Sequence, residues 1–228
     1  MKILVTGANR GLGLELTKLF LKEGHEVAAG MRAGSNSEAL DSLKREYLDR
    51  LEIIHLDMVD EATMVHSADL IRSQWGSLDV IINNAGILLG RSRKFDQLDL
   101  EELIASFKVN TFGPMMLIKH LAGLMEGSES PMIINITSGA ANDLGGSDYP
   151  YSLSKATLNM YSAKLNNYLK EAGIRVLAIH PGWIKTDMGG EKAPGSPETT
   201  ARNILDIIEG RLQIYDDLVF INHTGVGL

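Results

Sequence analysis

One stretch constrains this chain more than any other. The apolar run Ile3–Val5 leads directly into Thr6-Gly7-Ala8-Asn9-Arg10-Gly11-Leu12-Gly13, and a segment of helical period follows over about 12–23. Glycines at 7, 11 and 13 let the chain reverse tightly, let backbone approach a ligand, and let the next helix pack closely on the first strand. The amide groups and positive dipole end of that helix then face outward, ready for an anion. Placed between a strand and a helix, the pattern reads as a pyrophosphate cradle formed by Gly7, Asn9, Arg10, Gly11, Leu12 and Gly13. No Gly-Lys-Ser/Thr closes it, so it is not a P-loop. A plain tight turn between strand and helix is the reading it competes with.

The rest of the chain repeats the strand–helix rhythm. Short apolar runs at Ile3–Val5, Glu26–Ala29, Leu51–Leu56, Val80–Ile82, Met132–Ile136, Arg175–Ile179 and Leu218–Ile221 predict strands. Longer amphipathic segments over about 12–23, 37–49, 61–74, 99–125, 152–172 and 197–209 predict helices. Alternation of this kind predicts a doubly wound α/β fold of Rossmann type. Its sheet is mainly parallel and about seven-stranded, with helices on both faces. At 228 residues the chain is read as one domain spanning 1–228.

Composition removes several chemistries. There is no cysteine, which excludes a disulfide scaffold, a thiolate metal site and a cysteine nucleophile. The six histidines form no His-x-x-x-His pair and no Gly-x-Ser-x-Gly elbow occurs, so neither a metal site nor a hydrolase nucleophile is expected. A formal charge of −7 is a poor match for nucleic acid or an anionic membrane. No apolar run approaches the roughly 18 residues needed to span a bilayer, and the N-terminal apolar run is too short for a signal peptide. The expectation is a cytoplasmic protein with a small-molecule partner.

The second predicted strand runs into Gly30-Met31-Arg32. Folds that bind NAD place an acid about 20 residues past the glycines to hold the ribose 2′-hydroxyl. Here that place is taken by Arg32, and Arg10 stands inside the glycine turn. Guanidinium groups suit a 2′-phosphate, so NADP(H) is the expected cofactor. Asn83-Asn84-Ala85-Gly86 follows the fourth strand and reads as a tight turn that also walls the cofactor through Asn84, Ala85 and Gly86.

Tyr151 and Lys155 lie four apart at the start of a predicted helix and share a face. Of six tyrosines, Tyr151 alone has a lysine four residues on. A tyrosine needs a lowered pKa to exchange protons near neutrality, and a nearby ammonium lowers it. Ser138, at the end of the fifth strand, offers a hydroxyl to a carbonyl oxygen held against Tyr151. Asn110 falls inside the long helical segment, where asparagine is a mediocre helix former and serves best where the helix is distorted.

Taken together, Thr6-Gly7-x-x-x-Gly11-x-Gly13, Asn83-Asn84-Ala85-Gly86, Ser138, Tyr151-x-x-x-Lys155 and Pro181-Gly182 resemble the short-chain dehydrogenase/reductase family in order and spacing. The stretch Pro181-Gly182-Trp183-Ile184-Lys185-Thr186-Asp187-Met188-Gly189-Gly190 looks most like its subgroup of sniffer-type carbonyl reductases and C-factor-like proteins. That resemblance implies Tyr151 as proton donor and Ser138 as holder of the substrate oxygen. It implies Lys155 as the group tuning Tyr151 and gripping the nicotinamide ribose, and Asn110 as support for a water relay. It places Asp57 and the backbone of Met58 on the adenine. Pro181, Gly182, Ile184 and Thr186 would cover the nicotinamide, and Trp183 would line the substrate pocket. It also implies a homo-oligomer, a dimer or tetramer, through the helices at about 99–125 and 152–172.

By loop position alone, Leu88, Ala140, Leu144, Tyr149 and Met188 are further pocket candidates. Arg91, Arg93 and Lys94 form a basic cluster at its mouth. The C-terminal Phe220–Leu228 departs from the subgroup in carrying no terminal tryptophan. The expected activity is NADPH-dependent reduction of an aldehyde or ketone. The alternative is an NADP(H)-binding signalling protein of the C-factor type whose turnover is incidental.

Overall fold

A computed structural model describes residues 1–145, 147–215 and 218–228. Seven strands form one sheet: β1 (Lys2–Thr6), β2 (Glu26–Met31), β3 (Leu51–His55), β4 (Val80–Asn83), β5 (Met132–Ile136), β6 (Arg175–His180) and β7 (Phe220–Asn222). Their order is β3-β2-β1-β4-β5-β6-β7, and every pairing is parallel. The connecting helices are α1 (Gly11–Lys22), α2 (Glu38–Glu46), α3 (Glu61–Trp75), α4 (Leu100–Phe107), α5 (Gly113–Leu121), α6 (Tyr149–Leu169) and α7 (Pro197–Ile208). The expected doubly wound sheet is therefore present. The last strand starts two residues later than its apolar run suggested.

The strands alternate between two cores. Ile3, Val5, Val27, Ala29, Ile82, Ile134 and Ile179 face α1, α2 and α7. Leu4, Ala28, Ile54, Ile81, Ile133 and Val176 face α3 and α5. Both faces of the central strands are covered, which is why their sequences are continuously aliphatic rather than alternating. Each fully buried Leu, Ile or Val contributes about 1.5–3 kcal/mol.

The segment expected as one helix over about 99–125 is broken. Between α4 and α5, Lys108–Phe112 forms a π-helical turn. The cause is tertiary: Asn110 and Thr111 are fully buried and bonded to α6, and one extra residue per turn brings both side chains to that partner. Immediately after it, Gly113 packs so closely on Met58 that a Cβ would lie 2.5 Å from the Met58 carbonyl oxygen. Helix α6 begins at Tyr149, earlier than expected, because Pro150 fits the first turn of a helix without loss of a hydrogen bond.

The order reverses between β1 and β4, whose crossovers leave to opposite sides of the sheet. The crevice opened there at the strand C-termini is where open α/β sheets bind ligands.

Candidate active site

A cleft of about 720 Å³ lies along this edge. Its walls come from the turn after β1 (Gly7, Asn9, Arg10, Gly11, Leu12) and the ends of β2 and β3 (Arg32, Asp57, Met58). The turn after β4 (Asn84, Ala85, Gly86) and the Ser138 and Tyr151–Lys155 region complete them, with Pro181–Gly189 above.

At one end stands the glycine turn. Gly7 and Gly11 have φ of 64° and 53°, a left-handed conformation costly for other residues. A Cβ on Gly7 would lie 3.0 Å from Ala85 Cα, so the turns after β1 and β4 are in backbone contact. Thr6 and Asn84 lock that contact. The Thr6 hydroxyl accepts from the Asn84 and Ala85 amides at 3.0 and 2.9 Å, and the Asn84 side chain donates to the Thr6 and Gly7 carbonyls. Gly13 sits under this junction, against Gly7 and the Asn84 side chain, and does not line the cleft itself. Helix α1 has no side-chain N-cap, whereas Asp60, Asp99 and Ser196 cap α3, α4 and α7. Its first-turn amides are left to an outside acceptor, which suits a pyrophosphate.

Arg32 lies exposed at the cleft edge. Arg10 instead pairs with Asp187 at 2.7 Å across the mouth, two exposed groups. Asp57 lines the cleft, and one of its oxygens accepts from the Val59 amide at 3.0 Å. The cap of α3 is Asp60, so Asp57 does not serve that purpose. Met58 lies beside it, buried.

At the other end, Ser138, Tyr151 and Lys155 converge. Lys155 is 4% exposed, and its ammonium donates to the Ile136 carbonyl at 2.7 Å. Burial lowers its pKa from 10.5 to about 8. Tyr151 is buried, and its pKa stands above the ordinary 10.0, burial being the largest cause; a hydrogen bond from Ser138 pulls the other way. Here the structure departs from the sequence expectation. The Lys155 nitrogen stands 5.9 Å from the tyrosine ring centre and is turned to a backbone carbonyl, and it is Ser138 and Arg91 that pull the Tyr151 pKa down, outweighed by burial.

The Ser138 oxygen accepts from the Ala140 amide at 3.2 Å, capping a short 3₁₀ turn, and its hydroxyl stands beside Tyr151. Asn110 is a strut. Its Oδ1 accepts from the Ile87 amide at 2.8 Å, and its Nδ2 donates to the Ile87 carbonyl and the Ser154 hydroxyl at 2.9 and 3.0 Å. Both amide hydrogens are thus engaged, leaving a relay water only the second lone pair of Oδ1. Gly86 fits between these groups: a Cβ there would lie 3.3 Å from Asn110 Oδ1 and 3.6 Å from Lys155 Nζ.

Above the site, Pro181, Gly182, Ile184 and Thr186 form the roof, with the Thr186 hydroxyl accepting from the Gly189 amide. Trp183 is 58% exposed and donates to the Gly189 carbonyl, which ties the two ends of its loop. Among the pocket candidates, Leu88, Ala140, Trp183 and Met188 line the cleft, as does Arg91. Two do not. Leu144 is fully solvent-exposed, on a loop where the Gly145 amide donates to the Asp143 carboxylate. Tyr149 lies two residues before Tyr151 on a helix, and positions two apart point to different sides. The basic cluster also divides: Arg93 is held by Glu102, while Arg91 reaches the mouth and donates to the Met188 carbonyl.

Sequence reasoning missed two features. Asn83, Asn135 and Ser162 form a buried polar ladder joining β4, β5 and α6. The signal was a polar residue inside the aliphatic run Met132-Ile133-Ile134-Asn135-Ile136. The second is His180, which lines the cleft at the end of β6.

This fold, with its cradle at the switch point, defines a doubly wound α/β protein of the dinucleotide-binding class. The chain belongs to the short-chain dehydrogenase family, a family of oxidoreductases, whose model matches residues 1–196. It is 32% identical over 188 residues to the NADP-dependent 3-hydroxy acid dehydrogenase YdfG of Escherichia coli K12, covering 81% of this chain and 73% of that protein. It is 35% identical over 140 residues to C-signal of Myxococcus xanthus, covering 59% of this chain and 82% of that one. Its structure resembles the carbonyl reductase Sniffer of D. melanogaster at a TM-score of 0.92 and 29% identity, over 100% of this chain and 98% of the other. The match to a fungal short chain dehydrogenase spans 64% of that relative's length. Among the described residues no helix is long and apolar enough to cross a membrane, and no group of three acids or histidines could hold a metal.

Proposed function

We propose that this protein reduces an aldehyde or ketone to the alcohol with NADPH. The observation that carries the proposal is the meeting, in one cleft, of a phosphate cradle edged by Arg32 with the half-buried Ser138 and the buried Tyr151 and Lys155. The YdfG and Sniffer likenesses support the same chemistry.

The uncapped start of α1, Asn9, and the wall Asn84–Gly86 would hold the pyrophosphate and ribose, Arg32 the 2′-phosphate, and Asp57 with Met58 the adenine. Pro181, Gly182, Ile184 and Thr186 would cover the nicotinamide. When bound, the nicotinamide supplies the hydride that reduces the carbonyl carbon. Tyr151 gives its proton to the carbonyl oxygen. Its raised pKa keeps the phenol protonated at neutral pH, the state a reductase needs. Ser138 donates a hydrogen bond to the same oxygen and fixes it against Tyr151. Lys155 supplies positive charge beneath the reacting groups, and Asn110 holds the walls on which they stand. The Leu88, Ala140, Trp183 and Met188 lining makes the substrate side largely apolar. Exposed Leu100, Leu153 and Met160 on α4 and α6 support a homo-oligomer formed through those helices.

The test is NADPH oxidation against a panel of aldehydes, ketones and diketones, with NADH in parallel. Turnover that prefers NADPH supports the reading. The C-signal likeness keeps a second reading in view, a cofactor-binding signalling protein. Tight NADPH binding without turnover on any panel member would favour it.

A further inference from the structure

We propose that His180 is a positioning residue that holds Ser138 in place by accepting a hydrogen bond from the Gly139 amide. The inference rests on the reductase reading for its kinetic part only. Ser138 stands at the head of the 3₁₀ turn Gly139–Ala141. The turn accounts for its other amides internally: Ala140 donates to Ser138 Oγ, Ala141 to the Ser138 carbonyl, and Asn142 to the Gly139 carbonyl. The Gly139 amide is the exception. It donates to His180 Nδ1 at 3.1 Å, from a residue 41 positions away. The imidazole also packs on Gly139, where a Cβ would lie 3.3 Å from Nε2. The ring thus clamps the turn both by its hydrogen bond and by contact, next to the residue whose hydroxyl must meet substrate.

The bond fixes the charge state. A ring nitrogen that accepts from N–H carries no proton, so His180 is neutral with its hydrogen on Nε2. Protonation would place a donor against a donor and release the turn. The surroundings oppose that protonation. Burial and the nearby His223 hold the His180 pKa below its ordinary 6.5. His223, after β7, is itself shifted down by burial and meets Asn203 of α7. Tyr151 and Lys155 of α6, Asp148 at the start of that helix, Arg91 of the loop after β4, and Asp187 of the roof loop are the other titratable and charged groups of that end of the cleft.

Three proteins test this: wild type, His180→Asn and His180→Leu. Asparagine Oδ1 branches from Cγ as histidine Nδ1 does and accepts without titrating; leucine cannot accept. The account expects kcat for His180→Leu to fall about 10–100-fold, with NADPH affinity unchanged, because an oxygen held even about 1 Å off line costs rates of that order. His180→Asn should recover most of the rate. Wild type should lose kcat on acidification with a midpoint below 6.5, and His180→Asn should lack that acid limb. Hydrogen exchange of the Gly139 amide provides a readout independent of turnover: fast in His180→Leu, slow in His180→Asn. Wild-type kcat in His180→Leu, or equally slow Gly139 exchange in all three proteins, would overturn the proposal. If no protein reduces any carbonyl, the reductase reading fails, while the exchange result still decides whether His180 holds the turn.

Discussion

Lys155 ties the site's chemistry to the protein's stability, and the link can be measured. Its ammonium is buried, and burial carries its pKa from 10.5 to about 8. Between those values the unfolded chain binds a proton that the folded chain does not. Stability therefore rises with pH across that window, in favour of the wild type. Integrated over the whole window the gain is about 3 kcal/mol, and about 2 kcal/mol of it is present by pH 9.5. Lys155→Met has no such group. Its loss of the bond to the Ile136 carbonyl is a pH-independent offset, so the wild type minus variant difference isolates the lysine. The assay is urea unfolding of both proteins from pH 7 to 9.5. With a slope of about 2–3 kcal/mol/M, the midpoint of the wild type should gain about 0.7–1 M relative to the variant over that range. A difference that stays flat, or that moves the other way, would refute the claim that this lysine is desolvated.

Three further outcomes are expected. Asn110→Ala removes the partners of the buried Ile87 amide and carbonyl and should cost about 2–5 kcal/mol, read as a lower urea midpoint at unchanged slope. Arg32→Ala should weaken NADPH about 10–100-fold and leave NADH nearly unchanged, by titration of cofactor fluorescence, as expected for a lost guanidinium–phosphate contact. Arg10→Ala should cost less, because Arg10 is already paired with Asp187.

Legibility followed sequence distance. The strands could be read because burial on both faces makes a strand aliphatic whatever its partner, as in Val80-Ile81-Ile82. The glycine turn could be read because its φ values and contacts are local demands. Tyr151 and Lys155 share a face through helix geometry alone. What could not be read depends on residues far along the chain. The π turn at Asn110 exists because Ser154 lies opposite it on α6. The His180–Gly139 bond and the Asn83–Asn135–Ser162 ladder join different elements, and nothing in either local sequence names the partner. Leu144 and Tyr149 failed as pocket residues for the same reason: nearness to Tyr151 in sequence does not fix which way a side chain points. The tyrosine–lysine spacing puts both side chains on one cleft, yet spacing could not show that Lys155 turns to the Ile136 carbonyl.

The central claim is that Tyr151 delivers the proton in an NADPH-driven carbonyl reduction. The most direct measurement compares wild type with Tyr151→Phe, following loss of NADPH absorbance with the best substrate from a carbonyl panel. Losing one hydroxyl from a buried ring leaves the fold and cofactor cleft intact. The account predicts unchanged NADPH affinity and a fall in kcat of about 10²–10⁴-fold, the usual contribution of a positioned general acid. Turnover in Tyr151→Phe equal to wild type would contradict it.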